Sequence, residues 1–131
     1  MVTISFEKHT LSNGLDVILH KDHNIPVVAV NVWYHVGSKD EEPGRTGFAH
    51  LFEHFMFEGS KNHNKSFFEP LQKVGASLNG STTNDRTNYW ETLPSNYLDL
   101  ALWLESDRMG YLLDALDQSR FDIQRDVVKN E

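Results

Sequence analysis

The chain has 131 residues, a length suited to one domain or to part of a larger one. Its net charge of −7 disfavours general nucleic-acid binding, because phosphate backbones are held by clustered Lys and Arg. Cysteine is absent, which excludes disulfides and thiolate metal sites, and the sequence has neither a signal peptide nor a long apolar run. We therefore expect a soluble chain without nucleic-acid binding or membrane insertion, whose compartment (cytoplasmic or periplasmic) the sequence leaves unknown.

The first third of the sequence has the alternation and turn residues of β-structure. "ISFEKHTL" and "LDVILH" are predicted strands, joined by the turn residues "SNG" at 12–14. The next stretch, "PVVAVNVWYHVG", is β-branched and aromatic. It predicts a strand within a sheet, with alternate residues from Val28 to Val36 on one face.

The rest of the sequence predicts four helices and a second hairpin. Thr46 is a candidate cap for a helix that Gly59 ends, and "SFFEPLQKVG" predicts a short second helix. "ASLNGSTTNDRTNYWETL" predicts a hairpin around its "TND" turn. Ser95 and Ser119 are candidate caps of two longer helices, the second running to Glu131. This order predicts an α+β fold, a two-layer sandwich with helices packed on one face of a mainly antiparallel sheet.

Two histidines and a glutamate interrupt the apolar helix "GFAHLFEHFMFEGS". At 100° per residue, Glu53 projects about 60° to one side of His50, and His54 about 40° to the other. Histidines four residues apart can reach one metal ion from consecutive turns, with the carboxylate placed beside the ion. A solvated polar face is the alternative, and a zinc site needs a third protein ligand that this helix alone does not supply. The apolar residues on the opposite side are expected to pack: Phe48, Leu51, Phe52, Phe55 and Met56.

The remaining histidines and the tryptophans carry no comparable pattern. Five histidines lie in predicted strands or loops, where surface or packing roles are expected: His9, His20, His23, His35 and His63. Three tryptophans are predicted to be core aromatics: Trp33, Trp90 and Trp103.

The order H-x-x-E-H is the inverzincin signature. With it, the chain resembles the N-terminal part of the pitrilysin/insulinase family of zinc peptidases, which includes mitochondrial processing peptidases. The resemblance covers "TLSNGLDVILH", "GSKDEEPGRTGFAHLFEHFMFEGS", "LNGSTTNDRTNYW" and "RDVVKNE". It implies one zinc ion held by His50, His54 and Glu131, with Glu53 as the general base. In the sequence, 76 residues lie between His54 and Glu131. Glu131 also projects beside Val127 and Val128 on the predicted last helix, where a carboxylate needs a partner.

Gln124 departs from the family pattern. The family commonly has a second glutamate two turns before the third ligand, and this chain has glutamine there. By resemblance, Gln124 orients a metal ligand through its side chain. Glutamine removes a charge but keeps hydrogen bonding, so we expect it to affect metal affinity more than geometry.

The stretch "SLNGSTT" reads, on its own, as a plain polar strand or hairpin. The resemblance implies instead that residues 77–83 form a sheet edge beside the metal, where a substrate peptide pairs as an added strand. Asn79, Gly80 and Ser81 are the expected substrate-binding residues, with the Asn79 amide directed at the substrate backbone. Gly80 stands where relatives often have alanine, and its low strand propensity is expected to loosen the edge.

The function implied by the resemblance is zinc-dependent hydrolysis of peptides or small unfolded polypeptides. Zinc activates water and polarises the scissile carbonyl, while Glu53 passes the proton to the leaving amine. The alternative is a non-catalytic peptide-binding or scaffolding subunit, since the family contains subunits that lost the motif. S-ribosylhomocysteine lyase shares an H-x-x-E-H helix, but its metal site uses a cysteine, which is absent here.

The sequence is also predicted to be part of a larger chain. Its last predicted helix, with Val127 and Val128, stops at Glu131 without a cap. Residues 1–131 are therefore interpreted as a truncated N-terminal zinc-binding peptidase domain, with a second homologous domain or subunit closing the cleft. The isolated piece is expected to fold but not to hydrolyse peptides, because terminal helical turns fray.

Overall fold

Strands and helices follow one another much as the sequence predicts. The computed structural model describes residues 3–131. Within that range the elements are β1 (Glu7–Thr10), β2 (Asp16–Leu19), β3 (Val27–Tyr34), α1 (Phe48–Glu58), α2 (Phe68–Lys73), β4 (Ser77–Thr82), β5 (Thr87–Pro94), α3 (Leu98–Tyr111) and α4 (Gln118–Val128). The predicted α+β class is confirmed. No helix in the described range is long and apolar enough to cross a membrane.

All strand pairs of the described range are antiparallel. β1 and β2 form a two-stranded sheet, and the other three strands form a second sheet in the order β3-β5-β4. β5 is central, and its Tyr89 pairs with Val32 of β3 and with Gly80 of β4. β4 therefore lies at an edge of the second sheet among the described residues, as predicted for 77–83. Contacts between α1 and β4 bring this edge beside the helix that carries the histidines.

One face of the second sheet packs against the helices. β3 alternates as predicted, with its residues from Val28 to Tyr34 half-buried at every second position. Two apolar clusters fill the space between sheet and helices. The first comprises Leu51, Phe55, Met56, Tyr89 and Leu112, and the second comprises Phe67, Leu71, Leu93, Ala101 and Leu104. Each buried Leu or Phe contributes about 1.5–3 kcal/mol, so this packing holds α1 in place.

Arg108, which forms a buried ion pair within α3, ties that helix to α1. Arg108 is fully buried, and its Nε donates to Glu105 Oε2 at 2.9 Å. Its Nη1 donates to the carbonyl oxygen of Met56 at 3.2 Å. The guanidinium also lies 3.7 Å from the ring centroid of Phe67 and 4.4 Å from that of Tyr89. These contacts fix the last turns of α1 against the layer beneath it.

Two predicted helix starts are wrong by one or two residues. Gly47, with φ of +91°, is the N-cap of α1 in place of Thr46, because the Glu41 side chain supplies the acceptors for the first free N–H groups. Asp117 caps α4 in place of Ser119, and its Oδ1 accepts from the backbone N–H of Arg120 at 2.8 Å.

The end of α4 and the start of α3 also differ from prediction. α4 ends at Val128, so Glu131 lies beyond the helix and not within its last turn. Ser95 opens a 3₁₀ turn, and α3 begins at Leu98. Near the ends of a helix, turn hydrogen bonds replace the i→i−4 hydrogen bonds of the helix. The spacing of apolar residues in the sequence does not reveal where that change occurs.

Part of the predicted packing is wrong. Phe48 and Phe52 project from the apolar side of α1 but are 46% and 42% exposed, unlike their buried neighbours Leu51, Phe55 and Met56. Trp33 is 60% exposed on the outer face of β3, and Trp103 is also exposed. A helical wheel identifies an apolar face, but burial needs another element to cover it.

Candidate metal centre

α1 presents two imidazoles on consecutive turns. The Nε2 atoms of His50 and His54 are 3.3 Å apart, and the ring centroids are 4.9 Å apart. The helix holds these rings in place because its opposite side is anchored in the core through Leu51 and Phe55. Both histidines are partly exposed, which leaves the site open to solvent.

Glu131 reaches the same point from the other end of the chain. Its Oε2 lies 3.1 Å from His50 Nε2 and 3.4 Å from His54 Nε2. Among residues 3–131, these three residues are the only His, Cys, Asp or Glu side chains whose ligand atoms gather in a group of three within 4.8 Å. The structure thus brings together the three residues predicted as metal ligands.

Packing of α4 on α1 places Glu131. The rings of Phe55 on α1 and Phe121 on α4 have centroids 6.0 Å apart, and Val128 contacts the same apolar cluster. After α4, the N–H of Asn130 donates to the carbonyl of Val127 at 2.9 Å. This turn carries the chain on to Glu131, so the carboxylate reaches the histidines although it is outside the helix.

The donor set and its spacing fit zinc. Two imidazole nitrogens and a carboxylate oxygen form one of the ligand sets of catalytic zinc, with a fourth position left for water. A tetrahedron with metal–ligand bonds of about 2.0–2.1 Å has edges of about 3.3 Å. The separations observed here are 3.1, 3.3 and 3.4 Å.

Gln124 holds the far side of one imidazole. Its side chain, 9% exposed, lies on the face of α4 that meets α1, and its Oε1 is 3.2 Å from His54 Nδ1. An amide oxygen accepts hydrogen bonds, so Nδ1 of His54 carries the ring proton and donates. The lone pair of a neutral His54 is then on Nε2, the atom that faces His50 and Glu131.

Glu53 reaches from α1 to the sheet edge. Its Oε2 accepts a hydrogen bond from the hydroxyl of Thr82, the last residue of β4. Thr82 was not singled out from the sequence, because its approach to α1 depends on strand register. The nearest sequence signal is its place in the "SLNGSTT" stretch, two residues after Gly80.

A second residue missed by sequence reasoning is Glu41. Its carboxylate accepts from the backbone N–H groups of Ala49 at 2.8 Å and of Gly47 at 2.9 Å. These bonds hold the pKa of the Glu41 carboxyl below its usual value, since they favour the charged form. They fasten the loop before α1 to the turn that carries His50. In the sequence, Glu41 is one of several acidic residues in a polar loop, and nothing there distinguishes it.

An open cleft of about 390 Å³ adjoins the centre. Its walls include His50 and Glu53 on one side and Thr82, Thr83 and Asn84 on the other. The cleft therefore lies between α1 and the end of β4. An apolar cleft of about 470 Å³ is lined partly by Phe48, Phe52, Tyr34 and Tyr89.

The predicted substrate residues lie on β4 with their side chains on alternate faces. Gly80 faces α1, and a Cβ there would come 3.1 Å from side-chain atoms of Phe57 and Tyr89. Asn79 and Ser81 consequently point to the opposite face of the sheet. Asn79 Oδ1 accepts from the N–H of Gly80 at 2.8 Å, and Ser81 Oγ donates to Asn88 at 2.9 Å. The structure does not bring these two side chains to the metal centre.

Comparison with known proteins places this chain in a family. The profile of the insulinase family (peptidase family M16) matches residues 16–131. The zinc protease PqqE of Helicobacter pylori is 36% identical over 127 residues, which cover 95% of this chain and 28% of that protein. Human cytochrome b-c1 complex subunit 1 is 33% identical over 122 residues, covering 92% of this chain and 25% of that subunit. A crystal structure of a protease from Helicobacter pylori superposes with a TM-score of 0.88 at 35% identity, covering 95% of this chain and 30% of that one.

These similarities extend over nearly the whole chain, which itself spans less than a third of each of these proteins. They agree with the fold, the H-x-x-E-H helix and the resemblance drawn from the sequence. This chain belongs to the insulinase family of peptidases, peptidase family M16.

Proposed function

We propose that this chain carries the zinc site of a metalloendopeptidase acting on peptides or small unfolded polypeptides. The observation that carries the proposal is the meeting of His50, His54 and Glu131 at separations suited to tetrahedral zinc. A relative named a zinc protease supports the same metal. On this proposal, residues 1–131 form the zinc-binding portion of a peptidase domain.

Each residue of the centre has a separate task. His50 and His54 supply Nε2 atoms to one zinc ion, and Glu131 supplies a carboxylate oxygen. Bound zinc supplies Lewis-acid chemistry, activating water and polarising the scissile carbonyl. Glu53 accepts a proton on its carboxylate and later gives it to the leaving amine. Gln124 keeps the His54 ring oriented through Nδ1.

The substrate binds as an added strand along β4. Pairing with β5 occupies one side of β4 and leaves the other for a peptide backbone, which suits substrates of varied sequence. Asn79, Gly80 and Ser81 form the binding segment through their main chain. A second homologous domain or subunit closes the cleft, and a relative named as a subunit of a complex supports such an assembly.

Substitution of Glu53 tests the proposal. In the whole protein, Glu53→Gln should keep zinc near one equivalent and lower hydrolysis of an unstructured peptide by about 10²–10⁴-fold, the usual contribution of a general base. Glu58→Gln, the same change at the end of α1, is the matched control and should behave as wild type. Hydrolysis retained by Glu53→Gln would contradict the role of Glu53.

A non-catalytic peptide-binding or scaffolding subunit is the second candidate. The similarity to a subunit of the cytochrome b-c1 complex favours it. The group of His50, His54 and Glu131, with Glu53 lining the adjoining cleft beside His50, favours the peptidase, because a scaffold has no use for a general base beside metal ligands. A zinc-loaded wild-type protein that binds an unstructured peptide but leaves it uncut would establish the second candidate.

A further inference from the structure

Thr82 joins the edge strand to the glutamate of the metal centre. It is the last residue of β4, half-buried, and its hydroxyl contacts Glu53 Oε2. Leu78, Gly80 and Thr82 share the face of β4 that meets the helices, since Leu78 packs into a core cluster and Gly80 lies against Phe57. The contact therefore follows from the register of β4 and not from a chance surface rotamer.

The direction of this hydrogen bond follows from its two partners, a hydroxyl and a carboxylate oxygen. Thr87 pairs with Thr82 across the strands, and its Oγ1 is 3.4 Å from that of Thr82. The proton of Thr87 is given to the carbonyl oxygen of Val36 at 3.0 Å. Thr87 therefore gives no proton to Thr82, and a carboxylate oxygen accepts, so the hydroxyl of Thr82 is the donor to Glu53 Oε2. Glu53 Oε1 has no hydrogen bond within residues 3–131 and is the oxygen left to accept a proton.

This arrangement restricts a side chain that is otherwise flexible. A glutamate side chain loses rotamer freedom when it is fixed in one conformation. A general base works only within hydrogen-bond reach of the proton it takes. One bond to Oε2 holds the carboxylate while leaving Oε1 available.

We infer that Thr82 is a positioning residue, which fixes the Glu53 carboxylate from the strand that receives the substrate. The inference rests on the proposed peptidase function. Because Thr82 belongs to β4, a peptide that pairs along this strand also steadies the donor to Glu53. Substrate binding at the edge and orientation of the base are thereby linked through one hydroxyl.

The test separates kcat from KM in the whole, zinc-loaded protein with an unstructured peptide as substrate. Thr82→Val keeps the shape of the side chain and removes the donor, and should lower kcat about 10–100-fold with KM within about threefold. Thr82→Ser keeps the donor and should restore most of kcat. Zinc content should stay near one equivalent in both variants. Thr92→Val, an exposed position on β5, is the matched control and should behave as wild type.

Three results would overturn the inference: a kcat for Thr82→Val within about twofold of wild type, a loss in Thr82→Ser as large as in Thr82→Val, or loss of zinc from Thr82→Val. Glu53→Gln distinguishes this failure from failure of the proposed function. If Glu53→Gln is inactive while Thr82→Val resembles wild type, only the role of Thr82 is wrong. If wild type does not hydrolyse peptides, or Glu53→Gln matches it, the proposed function falls and the inference falls with it.

Discussion

Gln124 contacts the proposed metal centre through a single hydrogen bond to His54. Because its Oε1 accepts from His54 Nδ1, replacing it by Leu should leave the imidazole free to rotate and its tautomer unfixed. We expect Gln124→Leu to weaken zinc binding about tenfold or more, measured by titration against a competing chelator. Gln118→Leu, at the exposed start of α4, is the control and should bind zinc as wild type does.

A second substitution of Gln124 tests whether a charged acceptor for His54 Nδ1 changes zinc affinity. Gln124→Glu retains an acceptor for His54 and adds a charge, which strengthens the hydrogen bond to a ligand of a cation. Zinc affinity should then equal or exceed that of wild type. Equal affinities in Gln124→Leu and wild type would show that packing alone orients His54.

At the residue scale, the sequence predicts the proposed ligands and Gln124, but not Thr82 and Glu41. Spacing and family resemblance predict His50, His54 and Glu131, and the structure brings their ligand atoms together. Thr82 could not be predicted, because its contact with Glu53 requires the register of β4 and the placement of α1 on it. Glu41 was missed because it bonds to backbone N–H groups, which any sequence offers.

At the scale of elements, β5 and α3 enclose a carboxyl group next to the buried Glu105–Arg108 pair. Glu91 on β5 is 1% exposed, and neither of its carboxyl oxygens has a hydrogen bond within residues 3–131. Burial, and next the charge of Glu105, raise the pKa of Glu91 to about 8 from an ordinary value of 4.5. Arg108 acts in the opposite direction but is engaged by Glu105. The raised pKa favours the protonated form of Glu91 in the folded protein.

The sign of the pH dependence follows from this raised pKa. Between pH 4.5 and about 8 the folded protein holds a proton on Glu91 that the unfolded chain releases. The free energy of unfolding should fall across this window as pH rises. Glu91→Gln cannot ionise, so its melting temperature relative to wild type should be several degrees higher at about pH 8.5 than at about pH 5.

Thermal unfolding at the two pH values measures this difference. Glu42→Gln, at an exposed position, is the control. Its melting temperature should differ from that of wild type by the same amount at both pH values. An offset of Glu91→Gln that does not change between the two pH values would show that Glu91 does not titrate in this window.

Local sequence patterns predicted the type of each element better than its first and last residues or the burial of its side chains. The alternation of β3 and the apolar side of α1 identified their type, and the structure confirms both. The end of α4 at Val128 was not predicted, because apolar periodicity carries no record of the turn hydrogen bonds that follow it. Exposure of Phe48 and Trp33 was not predicted either, since burial depends on which element lies opposite.

At the scale of the whole molecule, the metal centre depends on two helices far apart in sequence. α1 supplies the histidines, and α4, with the turn after it, supplies Glu131. Between them lie α2, the β4–β5 hairpin and α3, so the ligands assemble only when these elements are folded and α4 is packed on α1. An unfolded chain does not hold three ligands together, and binding energy is therefore also folding energy.

Zinc should accordingly stabilise the folded protein. A ligand that binds only the folded state at 100 times its dissociation constant adds about 2.7 kcal/mol, which corresponds to a rise of several degrees in melting temperature. We expect this rise when zinc is added to chelator-treated protein, followed by differential scanning calorimetry. Glu131→Ala removes the contribution of α4 to the centre and should nearly abolish the response, although α1 is unchanged. An equal rise in the melting temperature of Glu131→Ala would mean that zinc is held by α1 alone, or elsewhere. The proposal that the metal joins α1 to the turn after α4 would then be wrong.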